Sequence, residues 1–121
     1  MSEQKITGLE ESVSKIRDRI LTNCLLKKLD VAENALDELK EITMRADVSD
    51  VLHKELECRY LESELDVAEI REHPIRELAS VLSRINESVA FSSSRKSEVT
   101  LRGLTKITSV LSDSEGTNRQ I

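Results

Sequence analysis

The sequence predicts an all-α fold, a compact bundle of four to five short helices in helical hairpins, with room for an extra C-terminal helix. Three observations carry that expectation. Gly occurs 3 times and Pro once in 121 residues, too few turn formers for an all-β chain of this length. The apolar set is Leu, Ile, Val and Ala, with Tyr60 and Phe91 as the aromatics, thin side chains that suit close helix packing. Those residues recur at three- and four-residue steps, the period of a half-buried helix.

Each element can be justified in order. Residues 1–7 read as a flexible leader. Thr7 and Glu10 have the spacing of a capping box, which places a first helix over about 8–25. Its buried stripe is Val13, Ile16, Ile20 and Cys24, extended by Leu9 and widened by Leu21 and Leu25. A second helix, 30–42, carries Val31, Ala35, Leu36, Leu39 and Ile42 behind Asp30 as N-cap. The stretch 42–46 reads as a tight corner. Asp47 then caps a third helix that buries Val48, Val51, Leu52 and Leu56, and that either continues through Tyr60, Leu61 and Leu65 or breaks near Glu57.

Pro74 fits the first position of another helix, where a missing N–H costs nothing, so Ile70 to His73 form a corner. Ile75, Leu78, Ala79, Leu82, Ile85 and Val89 make the next stripe. Residues 8–91 are thus the bundle domain, and Ser92 to Ser97 a polar linker. Leu101, Leu104, Ile107 and Leu111 fall at helical spacing, although Gly103 and three Thr lower the propensity. Residues 98–111 form a helix that docks, frays or orders only with a partner, and 112–121 a disordered tail.

Charge narrows the function. The chain is 34% charged with a net −5, and residues 28–72 hold 14 acidic against 6 basic side chains. Nucleic-acid binding needs clustered Lys and Arg, so an acidic middle opposes it. No run approaches the roughly 18 apolar residues of a membrane span, and the first residues lack the apolar region of a signal peptide. Cys24 and Cys58 read as reduced core thiols of a nuclear or cytoplasmic protein.

Catalytic and cofactor motifs are missing from the sequence: no Gly-rich phosphate loop, no nucleophile elbow and no metalloprotease helix. His53 and Cys58 are five apart, off one helix face, and no second ligand pair accompanies them. Glu55, Glu57 and Glu62 lie close to Cys58 in sequence and oppose a thiolate there. Carboxylate pairs such as Glu62 and Asp66 read as a solvated face. The expectation is therefore a chain without enzymatic activity, cofactor or metal. Two corners are more informative. His73 and Ile75 flank Pro74, where the structural alternative is a cap plus a core residue. Leu26 and Lys27 stand where the first helix ends, where lysines also suit the helix dipole.

The order of short motifs adds a resemblance. Lys15-Ile16-Arg17-Asp18-Arg19-Ile20-Leu21 is followed by Ala35-Leu36-Asp37-Glu38-Leu39, an aliphatic helix, and Ile75-Arg76-Glu77-Leu78-Ala79. Over about residues 12–90 this resembles the N-terminal domain family of the elongation factor TFIIS. That family includes parts of Elongin A, a Mediator subunit and the integrase-binding domain of lens epithelium-derived growth factor. The resemblance implies a nuclear, monomeric, right-handed bundle that docks short acidic-hydrophobic motifs of transcription regulators. It also implies corner contacts at Leu26, Lys27, His73 and Ile75. Two other readings remain beside it. One is an armadillo- or HEAT-like fragment of a tethering or assembly complex. The other is a coiled-coil adaptor, which helices this short serve poorly.

Overall fold

A computed structural model describes residues 3–45 and 48–119, and among these the chain forms five α-helices and no strand. They are α1 (Glu3–Leu25), α2 (Leu29–Arg45), α3 (Asp50–Ala68), α4 (Pro74–Glu87) and α5 (Ser93–Arg119). The all-α bundle is as the sequence predicts. Each helix packs on the next, and α1 also packs on α3.

α1 buries Val13, Ile16 and Ile20 against Ala32, Ala35, Leu36 and Leu39 of α2, the stripes read from the spacing. The helix begins at Glu3, so residues 3–7 of the expected leader are helical and Thr7 is an interior position instead of a cap. Glu, Gln and Lys at 3–5 are straight-chain residues of high helix propensity, which outweighs a cap further along. α1 closes in a Schellman turn. Lys28 N–H donates to the Asn23 carbonyl at 2.8 Å and Lys27 N–H to that of Cys24 at 3.1 Å, with Lys27 at φ 58°.

Asp30 lies in the first turn of α2 and not at its cap. The expected corner at 42–46 is helical as far as Arg45, with the Thr43 hydroxyl donating back to the Leu39 carbonyl at 2.9 Å. Asp47, the expected cap of α3, lies outside the described residues. Ser49 caps α3 instead, its Oγ accepting from Leu52 N–H at 3.3 Å.

α3 runs unbroken past Glu57, and Leu61 to Ala68 are all buried. One side of it, with Leu56 and Val67, joins the α1–α2 core. Another, with Cys58, Leu61, Leu65 and Ala68, packs on Leu78, Val81, Leu82 and Ile85 of α4, on Phe91 and on Val99 of α5. α3 is therefore the spine shared by two apolar clusters. Val51, expected in the core, is 80% exposed because it falls on the remaining flank.

The α4 stripe holds at Leu78, Leu82 and Ile85, while Ala79 and Val89 point to solvent. The polar segment 92–97 is no linker. Ser92 caps α5 by accepting from Arg95 N–H at 3.2 Å, and the helix continues through Arg119, which also replaces the expected disordered tail across the described residues. The face of α5 turned inward is Val99, Gly103, Ile107 and Val110, so Leu101, Leu104 and Leu111 of the expected stripe are exposed.

Candidate functional site

Glu55, Glu62 and Asp66 of α3, with Glu69 at its C-cap, face α5. Arg95 Nη2 meets Glu62 Oε2 at 2.6 Å and Arg95 Nη1 meets Glu55 Oε1 at 2.7 Å. Lys106 Nζ lies 3.1 Å from Asp66 Oδ1 and 2.9 Å from Glu69 Oε1, with Arg102 between the two clusters. The pairs ascend together in both helices, so α5 runs parallel to α3. The solvated face expected at Glu62 and Asp66 is thus a buried ionic seam, with both residues under 9% exposed. The Arg95 hydrogen bond holds the Glu55 carboxyl below its ordinary range. Burial opposes the charge on Lys106, but Glu69 and Asp66 keep its ammonium above the ordinary value. Glu64, on the opposite flank, is held by Arg84 at 2.7 Å and by Arg71 at 4.0 Å. These groups are structural counter-ions.

Both cysteines are free thiols. Burial pushes each up to about 11, so neither offers a thiolate near neutral pH. Cys58 Sγ donates to the Ala90 carbonyl at 3.3 Å. Among the described residues no three His, Cys, Asp or Glu side chains gather as metal ligands, and no helix is long and apolar enough to cross a membrane.

The four residues expected to contact a partner lie at one end of the molecule. Leu26 and Lys27 form the α1–α2 bend, Leu26 being 57% exposed. His73 caps α4 with no side-chain hydrogen bond, and Ile75 is 38% exposed just beyond it. The two bends are neighbours: Arg71 Nη2 reaches Glu33 Oε1 in α2 at 2.7 Å, and Ile70, like Cys24 and Leu29, packs against the α1–α2 core. None of these four side chains lines any of the clefts described below.

An apolar cleft of about 410 Å³ opens toward the other end, between the C-terminal turns of α2 and α4 and the first half of α3. Tyr60 and Leu61 form its floor, with buried Thr43, and Met44 stands at its lip, 72% exposed. The half-buried Tyr60 packs against both cores, and burial raises its phenol above the ordinary value. On the rim, the Ser88 hydroxyl donates to Glu57 Oε2 at 2.6 Å and Arg84 is taken up by Glu64. Lys40 has no partner among the described residues, and His53 stands across the opening. A second cleft of about 440 Å³, between α1 and Arg59, is lined mainly by charged chains, and a third lies between α4 and α5.

The sequence reading missed the apolar cleft because its walls come from three helices. The available signal was Met44, an apolar residue at the end of a helix whose stripe already closed at Ile42. No protein-family model, no curated protein and no solved structure matches this chain.

Proposed function

We propose that this chain is a non-catalytic protein-interaction domain that docks a short acidic-hydrophobic segment of another protein in the α2–α3–α4 cleft. The observation that carries the reading is the cleft's chemistry. A floor of Tyr60 and Leu61 and a mobile-chain Met44 lip suit one bulky apolar side chain, and Lys40 suits a neighbouring carboxylate. Met44, 72% exposed at the lip, has an unbranched side chain that can fold over an inserted apolar group. The high thiol pKa values and the pairing of α3's carboxylates leave few groups for acid, base or nucleophilic chemistry. Assignment of the partner to transcription elongation, and of the domain to the nucleus, rests on the sequence resemblance alone.

This reading puts the contact surface at the opposite end of the bundle from the two bends, Leu26–Lys27 and His73–Ile75, that the resemblance implies. An amide-shift titration with a Phe-containing acidic peptide tests it. Perturbations are expected at Lys40, Met44, His53 and Tyr60, and Met44→Asp should abolish them without lowering the unfolding midpoint. Shifts confined to the two bends would return the site there. Titrations silent across the whole chain would remove the motif-docking reading.

A further inference from the structure

The charged side chains that line the apolar cleft are sorted by wall. α2 and α4 each pack on α3, and the cleft lies between them. The α2 wall contributes Lys40, and His53 stands in the first turn of α3. The α4 wall contributes Arg84 and Glu87, with Ser88 just past its end.

Pairing within the chain decides which of these charges is left for a ligand. Arg84 Nη2 lies 2.7 Å from Glu64 Oε2, and Glu64 is 7% exposed, so this guanidinium serves a buried carboxylate. The Ser88 hydroxyl holds Glu57 Oε2 at 2.6 Å on the α4 side, and a neutral donor leaves the charge of that carboxylate uncancelled. Lys40 and Glu87 are exposed and have no partner among the described residues. The free cation therefore stands on the α2 wall and the free carboxylate on the α4 wall, with Tyr60 and Leu61 of α3 between them.

We propose that the docked segment is bipolar: it sets one bulky apolar side chain on Tyr60 and Leu61, an acidic residue toward Lys40 and a basic residue toward Glu87. The inference rests on the docking reading above and adds the order of charge across the cleft. Desolvation supplies the reason. An apolar group that fills the cleft displaces water from both rim charges, and each loses hydration unless the segment brings the opposite charge. A second acid on the α4 side would instead meet Glu57 and Glu87. Arg84 could receive it only by leaving Glu64 buried, with Arg71 at 4.0 Å as the remaining cation. Opposite charges on the two walls also select one direction for the segment, because the reversed one opposes like charges at both ends.

Fluorescence anisotropy of labelled peptides on the full chain tests this at low ionic strength. Four peptides share a central Phe and carry Asp on both sides, Lys on both sides, Asp then Lys, or Lys then Asp. One of the two mixed peptides should bind about five- to tenfold tighter than the doubly acidic one. Glu87→Lys should move the preference to the doubly acidic peptide, and Lys40→Glu to the doubly basic one. Both positions are exposed, so both variants fold. A doubly acidic peptide that binds as tightly as either mixed one, or a preference unmoved by Glu87→Lys, would overturn the charge order and leave docking standing. Four peptides that all fail to bind would remove the docking reading, and the charge order with it.

Discussion

Gly103 lies directly against Leu82: a Cβ at position 103 would come 2.5 Å from Leu82 Cδ2 and 3.0 Å from its Cγ. The glycine sits mid-helix, where it costs about 1 kcal/mol relative to Ala, and that cost is offset by the close approach of α5 to α4. Gly103→Ala is expected to destabilise despite its better propensity, because overpacking a filled site costs about 1–3 kcal/mol. Leu82→Ala in the same chain should restore part of the loss, a non-additivity read from denaturant unfolding of the four variants.

Arg95→Ala leaves Glu62 buried beside one distant cation, Arg102 at 3.6 Å. Removing one partner of such a pair costs about 3–5 kcal/mol when fully buried. The 28% exposure of the Arg95 side chain places the expected loss nearer 2 kcal/mol. Arg95→Met combined with Glu62→Leu should recover most of it, as seen by the unfolding midpoint.

Stability should fall at both ends of the pH scale, for different groups. Glu55 has a folded value below its reference of 4.5, so its contribution is full above 4.5 and is lost as pH falls through the lower folded value. Glu55→Gln should flatten that acid limb. Cys24 and Cys58 rise from 9.0 to about 11, so the fold keeps them protonated after the unfolded chain has ionised. Their contribution is full below 9.0 and disappears between 9.0 and about 11. Unfolding curves recorded across pH, with ultraviolet thiolate absorbance alongside, check both limbs.

Lys27 holds φ 58° at the end of α1, a conformation that costs an L-residue about 1–2 kcal/mol and glycine almost nothing. Lys27→Gly should stabilise by about 0.5–1 kcal/mol, after the larger chain entropy of glycine is set against it. Thermal unfolding measures it.

Helices with one buried face were legible as sequence. Val13, Ile16 and Ile20, and Leu78, Leu82 and Ile85, each face a single core, so spacing alone located them. α3 was not, because burial on several sides mixes Leu61 and Leu65 with Glu62, Glu64 and Asp66, and no period of apolar residues survives. Carboxylates paired with residues 33 to 40 positions later look solvated until α5 is placed. α5 misled for another reason. It carries two apolar stripes, and the more leucine-rich one, at 101, 104 and 111, faces outward while Val99 and Gly103 pack. Ser92, read as linker, is a cap, which requires knowing that a helix follows. The bends at Leu26 and His73 were correctly seen as bends, and nothing local could show that the apolar cleft opens at the far end.

The cleft floor depends on α3 being enclosed from both sides. Native-state hydrogen exchange measures that enclosure directly. The amides of residues 61–68 are expected to exchange slowest in the chain, at a common rate set by global unfolding. Exchange of those amides as fast as that of the outer turns of α5 would contradict a buried central helix, and with it the site built upon it.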